Sequence, residues 1–118
     1  GDVYKRQYIN NIRVRTSNKS NIEECLFASN NDGVKSIHPK LNLRNTGCAA
    51  LDLAYVGCGR LDGFFHNKIN LWDIAAGKII VEEAGGKINE IKNFNSKIDI
   101  RAANPNIYEK MLNKLGNF

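Results

Sequence analysis

Asp73 stands between Trp72 and a run in which Ile74, Ile79, Ile80, Val81 and Ala84 recur before Gly85-Gly86. A carboxylate at a helix start has two uses. It caps the helix, whose dipole favours the ionised form there. It is also the oxygen donor that a hard divalent cation takes. For an isolated aspartate the cap is the commoner role. Gly47-Cys48-Ala49 opens a second helical stretch. Backbone amides at such a start, with small side chains around them, admit a ligand closely. A glycine-started packing helix reads equally well. Other candidates fall away on spacing. His38 and His66 are 28 positions apart with no Cys or His at ligand spacing. Cys25, Cys48 and Cys58 are odd in number and form no C-x-x-C pair, so reduced, partly buried thiols are the reading. Glu82 and Glu83 diverge as neighbours on a helix and are exposed charges, not an acid–base pair. Gly57-x-Gly59-x-x-x-Gly63 misses the dinucleotide spacing by one, and Gly85-Gly86-Lys87-Ile88 lacks the Ser/Thr of a phosphate loop.

The elements that must position these residues follow from periodicity. Ile9 to Arg15 alternates and predicts a half-buried strand. A polar loop, Thr16 to Asn21, leads to a short apolar strand from Glu24 to Ser29, closed by an Asn30-Asn31-Asp32-Gly33 turn. No period is convincing from there to Leu43, and Pro39 argues against a helix. Gly47 to Gly59 predicts a helix with Ala50, Leu51, Ala54, Tyr55 and Cys58 on one face. Leu61 to Phe65 reads as a strand and His66 to Asn70 as a loop. The helix opened by Asp73 comes next, with Gly85 as its left-handed stop. Gly86 to Ile91 and Ile98 to Ala103 read as strands around a polar Lys92–Lys97 turn. Pro105 suits the first position of a final helix through Leu115. The order β-β-α-β-α-β-β-α predicts an α/β fold, a mixed sheet with helices packed against it.

Composition narrows the class. The 118 residues suffice for one domain with one core, and 42% hydrophobic with 25% charged residues is ordinary for a globular protein. No apolar run approaches the roughly 20 residues of a membrane span. With no signal peptide visible, a cytoplasmic location without membrane association is the default expectation. The net charge of +5 is spread along the chain. It supports attraction to anionic substrates or polyanions without naming a partner. No interleaved aromatic platform of a single-strand binder is present.

Taken together, several segments resemble the inositol monophosphatase family of metal-dependent phosphatases. Trp72-Asp73 followed by Ala75-Ala76-Gly77 and Glu83-Ala84-Gly85-Gly86 is similar to its second signature. Gly47-Cys48-Ala49-Ala50-Leu51-Asp52-Leu53-Ala54-Tyr55-Val56 resembles its G-[ST]-A-A-L-D-L-A-Y-V segment. Gly59-Arg60-Leu61-Asp62-Gly63-Phe64-Phe65 resembles G-R-x-D-G-[FY]-[FW]. Asn11 to Leu26 and Ala102-Ala103-Asn104-Pro105 are similar to an entry segment and a closing strand-to-helix join. The match runs in order over about residues 8–115. It implies the C-terminal domain of an inositol-monophosphatase-like sandwich.

The resemblance implies a Mg²⁺-dependent phosphomonoesterase that hydrolyses a small sugar-alcohol phosphate, such as an inositol phosphate, by metal-activated water. Asp73 becomes the metal ligand. Gly47, Cys48, Ala49 and His66 fall on the substrate side. No catalytic residue is assigned in this stretch. Two residues depart from the family pattern. Cys48 stands where Ser or Thr is usual, and a thiol is the poorer hydrogen-bond partner. His66 stands seven residues before Asp73, where Glu is usual, which leaves the substrate open. The Asn30–Leu43 connection is short for the family. The family's other metal ligands lie in G-E-E and D-P-I-D-G-T segments, and neither string occurs here. The stretch alone is therefore expected to be inactive. Family members are commonly dimers, so a homodimer is implied. Some bacterial relatives act in transcription antitermination, which makes a non-catalytic RNA-binding role the alternative and nucleic acid the less favoured partner. Finally, Gly1-Asp2-Val3-Tyr4-Lys5-Arg6-Gln7 looks like translated sequencing adapter. Residues 1–7 are expected to be non-native, with the domain over 8–118 as the C-terminal part of a longer enzyme.

Overall fold

The computed structural model describes residues 7–9, 12–29, 41–44, 46–91 and 97–116. The Asn30–Gly33 turn, residues 34–40 of the connection after it, the Lys92–Ser96 part of the second polar turn and residues 1–6 of the adapter-like stretch lie outside them. The first predicted strand is two. Strands β1 (Gln7–Ile9) and β2 (Ile12–Val14) pair antiparallel, with Gln7 opposite Val14. Asn10 and Asn11, turn formers by type, separate them in the sequence.

The main sheet has five strands in the order β4-β3-β5-β7-β6. β3 (Leu26–Ala28) lies parallel to β4 (Asn42–Arg44) and to β5 (Gly63–Ile69). β7 (Ile98–Ala103) pairs antiparallel with β5 and with β6 (Lys87–Ile88). The sheet is mixed, as the pattern predicts. β4 had no periodic signal, because three residues with only Leu43 half-buried carry too little pattern to read. β6 is shorter than the Gly86–Ile91 strand expected.

Successive side chains of β5 point to opposite faces and so feed two cores. Phe65 joins Phe27, Ile107, Met111 and Leu115 beneath helix α3 (Tyr108–Leu115). Phe64 joins Leu53, Val56, Ile74, Val81 and Ile100 beneath helices α1 (Ala49–Gly57) and α2 (Ala75–Glu83). The result is an α/β sandwich with two helices on one face of the sheet and one on the other.

α1 turns a different face inward from the one expected. It buries Asp52, Leu53, Val56 and Gly57, whereas Leu51 is 41% exposed. Apolar residues surround this short helix, so periodicity alone cannot choose its buried side. Packing against α2 chooses it. A Cβ at Gly77 would lie 2.6 Å from Leu53 Cβ, and one at Gly57 would lie 2.6 Å from Ile80 Cγ2. The two helices approach through these glycines. On α2, Ile79 is exposed and Val81 carries the burial.

Helix ends also differ in detail. Asp73 does not cap α2. It ends a 3₁₀ turn, Leu71–Asp73, and Ile74 is the capping position. Gly85 stops α2 at φ 89°, with Gly86 N–H donating to Val81 O at 2.9 Å. α3 begins at Tyr108, after Pro105. Asn104 holds the intervening turn, its Oδ1 accepting from Asn106 N–H at 2.8 Å and Ile107 N–H at 3.1 Å. Asn104 belongs to a buried polar cluster. Its Nδ2 donates to Ser17 Oγ at 2.9 Å, and Ser17 donates to Asp62. Asp62 also accepts from Leu26 N–H at 2.7 Å and pairs with Lys19 at 3.3 Å. The polar segment after β2 is thereby fastened to the sheet.

Candidate active site cleft

A cleft of about 540 Å³ opens where α1, β5 and the turn before α2 meet. The start of α1 supplies one wall, with Gly47, Cys48, Ala49 and Ala50. Gly47 has φ 76°, a conformation that suits glycine. Behind it, Thr46 donates its hydroxyl proton to Asp52 Oδ1 at 2.7 Å and accepts from Cys48 N–H at 3.2 Å. Asp52 is fully buried, so this bond ties the approach to α1 firmly onto the helix. Cys48 occupies the capping position and its thiol makes no capping bond. The first N–H groups of a helix lack intrahelical acceptors and favour an anion.

The end of β5 supplies the facing wall, with His66, Lys68 and Ile69. His66 is not in a loop, because β5 runs on to Ile69. Its ring stacks on Phe64 with centroids 6.2 Å apart and parallel planes. Nδ1 is buried and has no hydrogen-bond partner among the described residues. Burial pushes the His66 pKa below its ordinary value of 6.5, Asp52 opposes this, and Arg101 adds to it. The imidazole is therefore neutral at pH 7.

Asn70 and Asp73 close the cleft from the turn before α2. Asp73 N–H donates to Asn70 O at 3.0 Å, which fixes the backbone. The Asp73 carboxylate is exposed and makes no hydrogen bond or ion pair among the described residues. Among those residues no group of three or more His, Cys, Asp or Glu is placed to hold a metal ion. Mg²⁺ is bound through one or two protein carboxylates with water and substrate oxygens. Asp73 fits that as a single ligand and does not make a site by itself.

The five residues selected from sequence (Gly47, Cys48, Ala49, His66 and Asp73) thus line one cleft. Lys68 and Asn70 were missed. Their signal was available only if the strand was carried past Phe65, which would put Lys68 two positions from His66 on the same pleat.

The fold is thus an α/β sandwich on a mixed sheet, with its cleft between a helix start and a strand end. The model of the inositol monophosphatase family matches residues 5–117, and the chain belongs to that family. It is 36% identical to a putative Nus factor SuhB of Neisseria meningitidis, over 94% of this chain and 51% of that one. The crystal structure of the extragenic suppressor protein suhB from Bartonella henselae superposes with a TM-score of 0.80 at 35% identity, covering 92% of this chain and 49% of that one. The inositol monophosphatase from Anabaena gives 0.79 at 31% identity, covering 90% and 50%. The chain spans about half the length of the relatives it matches. No helix among the described residues is long and apolar enough to cross a membrane.

Proposed function

We propose that this chain forms the substrate-side half of a Mg²⁺-dependent phosphomonoesterase acting on a small phosphorylated polyol. The observation that carries the reading is the convergence of Asp73, His66 and the start of α1 on one cleft, with the rest of α1 and most of β5 lying between the first and the last of them in sequence. In this reading Asp73 is one ligand of the metal, and its lack of a hydrogen-bond or ion-pair partner among the described residues suits it to that role. The α1 amides face the anionic group. Mg²⁺, when bound, would supply charge neutralisation of the phosphate and activation of water. The remaining carboxylates must come from outside the described residues.

The test joins this chain to the preceding half of the Anabaena inositol monophosphatase and compares it with the Asp73→Asn variant. Asparagine keeps the size of the side chain and removes the charge. The expected result is a well-folded variant with on the order of tenfold or greater loss of phosphate release and a raised Mg²⁺ requirement. An unchanged rate and Mg²⁺ dependence at the same melting temperature would overturn the ligand assignment.

The Nus factor name of the Neisseria relative favours a second reading, a non-catalytic binding role in transcription with RNA as partner. The net charge of +5 is compatible with it. Salt-dependent RNA binding by a joined protein that is inactive on phosphomonoesters would favour that reading over catalysis.

A further inference from the structure

Beyond His66 the backbone of β5 leaves regular geometry. His66 pairs with Ile100 and Ile69 with Ile98, so β5 takes three steps where β7 takes two. The extra residue is a β-bulge, a device that re-aims a side chain and is common beside active sites. Within it Lys68 has φ 59°, the left-handed region that a long side chain seldom adopts.

The bulge is firmly held. Lys68 N–H donates to Asp99 Oδ1 at 3.0 Å, and Arg101 Nη2 donates to Asn67 Oδ1 at 2.7 Å. Asn89 braces the opposite strand, donating from Nδ2 to Asp99 O at 2.7 Å and accepting at Oδ1 from Arg101 N–H at 2.8 Å. The extra residue also changes the phase of the strand. Phe64 and Ile69 share one core, whereas simple alternation would put them on opposite faces. Ile69 is thereby returned to the core, and Lys68 is left exposed on the cleft wall. Its ammonium makes no ion pair among the described residues. The phase change needs an extra residue, but it does not need lysine. Glycine would take this φ without strain.

We infer that Lys68 is a specificity-determining residue of the cleft, recognising a second anionic group on the substrate besides the ester phosphate. The inference rests on the phosphomonoesterase reading above. The β5 wall presents an ammonium and an imidazole and no carboxylate. Among the lining residues the charged acceptor is Asp73, on the far side of the cleft, which the proposed reading gives to the metal. A carboxylate or second phosphate would gain a charge-assisted bond from Lys68, which a neutral hydroxyl cannot match.

A matched pair of ligands isolates this effect. One is β-glycerophosphate, and the other is its analogue in which one hydroxymethyl group is a carboxylate, a phosphoglycerate. Each is supplied with Mg²⁺ to the chain joined to the preceding half of the Anabaena inositol monophosphatase, its half-saturating concentration for phosphate release is read, and amide NMR shifts of Gly47, Cys48 and Lys68 report occupancy of the cleft. Wild type is expected to bind the phosphoglycerate about three- to fivefold more tightly, the range of an exposed ion pair. Lys68→Gln should bring the ratio close to one, and Lys68→Arg should restore the preference. A ratio near one in wild type, or a preference that survives in Lys68→Gln, would overturn the assignment of Lys68 alone. Binding of neither compound to wild type would overturn the cleft reading and this inference with it.

Discussion

His66 shows how a single residue can be singled out in the sequence while its physical state stays hidden. Its place seven residues before Asp73 marked it, and a loop was the expected setting. The structure sets it in β5, stacked on Phe64, with Nδ1 buried. Neutrality follows from that burial, which no spacing could reveal. The pH consequence has a definite sign. The folded-state pKa lies below 6.5, so the unfolded chain binds the proton more readily. Stability from this group is full above the ordinary histidine pKa and is lost as pH falls from about 6.5 towards the lower folded value. His66→Gln should flatten that part of the curve. Urea midpoints of both proteins between about pH 7 and 5 give the measurement. A variant whose stability falls as steeply as wild type would mean that His66 is not the group responsible. Asp73 illustrates the converse. Its chemistry was visible as a carboxylate beside a helix, while its place at the end of a 3₁₀ turn depended on backbone geometry before α2.

At the scale of elements, legibility followed length and contrast. β7 was read with its full extent because Ile98 to Ala103 alternates cleanly and turns bound it. β4 is too short to carry a period, and the bulge in β5 obscured the strand's continuation through Asn67-Lys68. The inward face of α1 was misjudged because its neighbour decides it. Gly57 and Gly77 are the visible trace of that neighbour, since each admits a residue of the opposite helix where a Cβ would stand. Gly77→Ala tests the contact. Alanine is favoured over glycine in a helix by about 1 kcal/mol. Overpacking against Leu53 Cβ costs about 1–3 kcal/mol because the helices must part. The second effect is expected to win, giving a net loss of about 1 kcal/mol and a Tm several degrees lower. A Tm equal to or above wild type would show that α1 and α2 separate freely.

At the scale of the molecule, sheet, helices and cleft are assembled among the described residues, whereas no group of three or more metal-ligating side chains is. Asp73 stands at the cleft with no second acidic ligand grouped beside it among the described residues. Two of the large exposed apolar side chains adjoin cleft-lining residues in the sequence. Trp72, 92% exposed, adjoins Asp73, and Leu51 follows the cleft-lining start of α1. The chain spans about half the length of its relatives, and in the proposed reading further chain both completes the metal site and covers Trp72. Two measurements on the purified chain follow. With Mg²⁺ it should release no phosphate from inositol phosphate or β-glycerophosphate above background. A single Asp73 carboxylate, without further acidic ligands, does not assemble the charge stabilisation that this slow hydrolysis demands. Its Trp72 fluorescence should be that of indole in water, shifting to the blue when the preceding half of the Anabaena protein is joined to it. Robust turnover by the chain alone would mean that its own residues suffice for the metal chemistry, and Asp73 would then be neither the sole nor the limiting ligand. A fluorescence spectrum unchanged in an active joined protein would leave Trp72 in solvent and separate the cover of the cleft from the completion of the metal site.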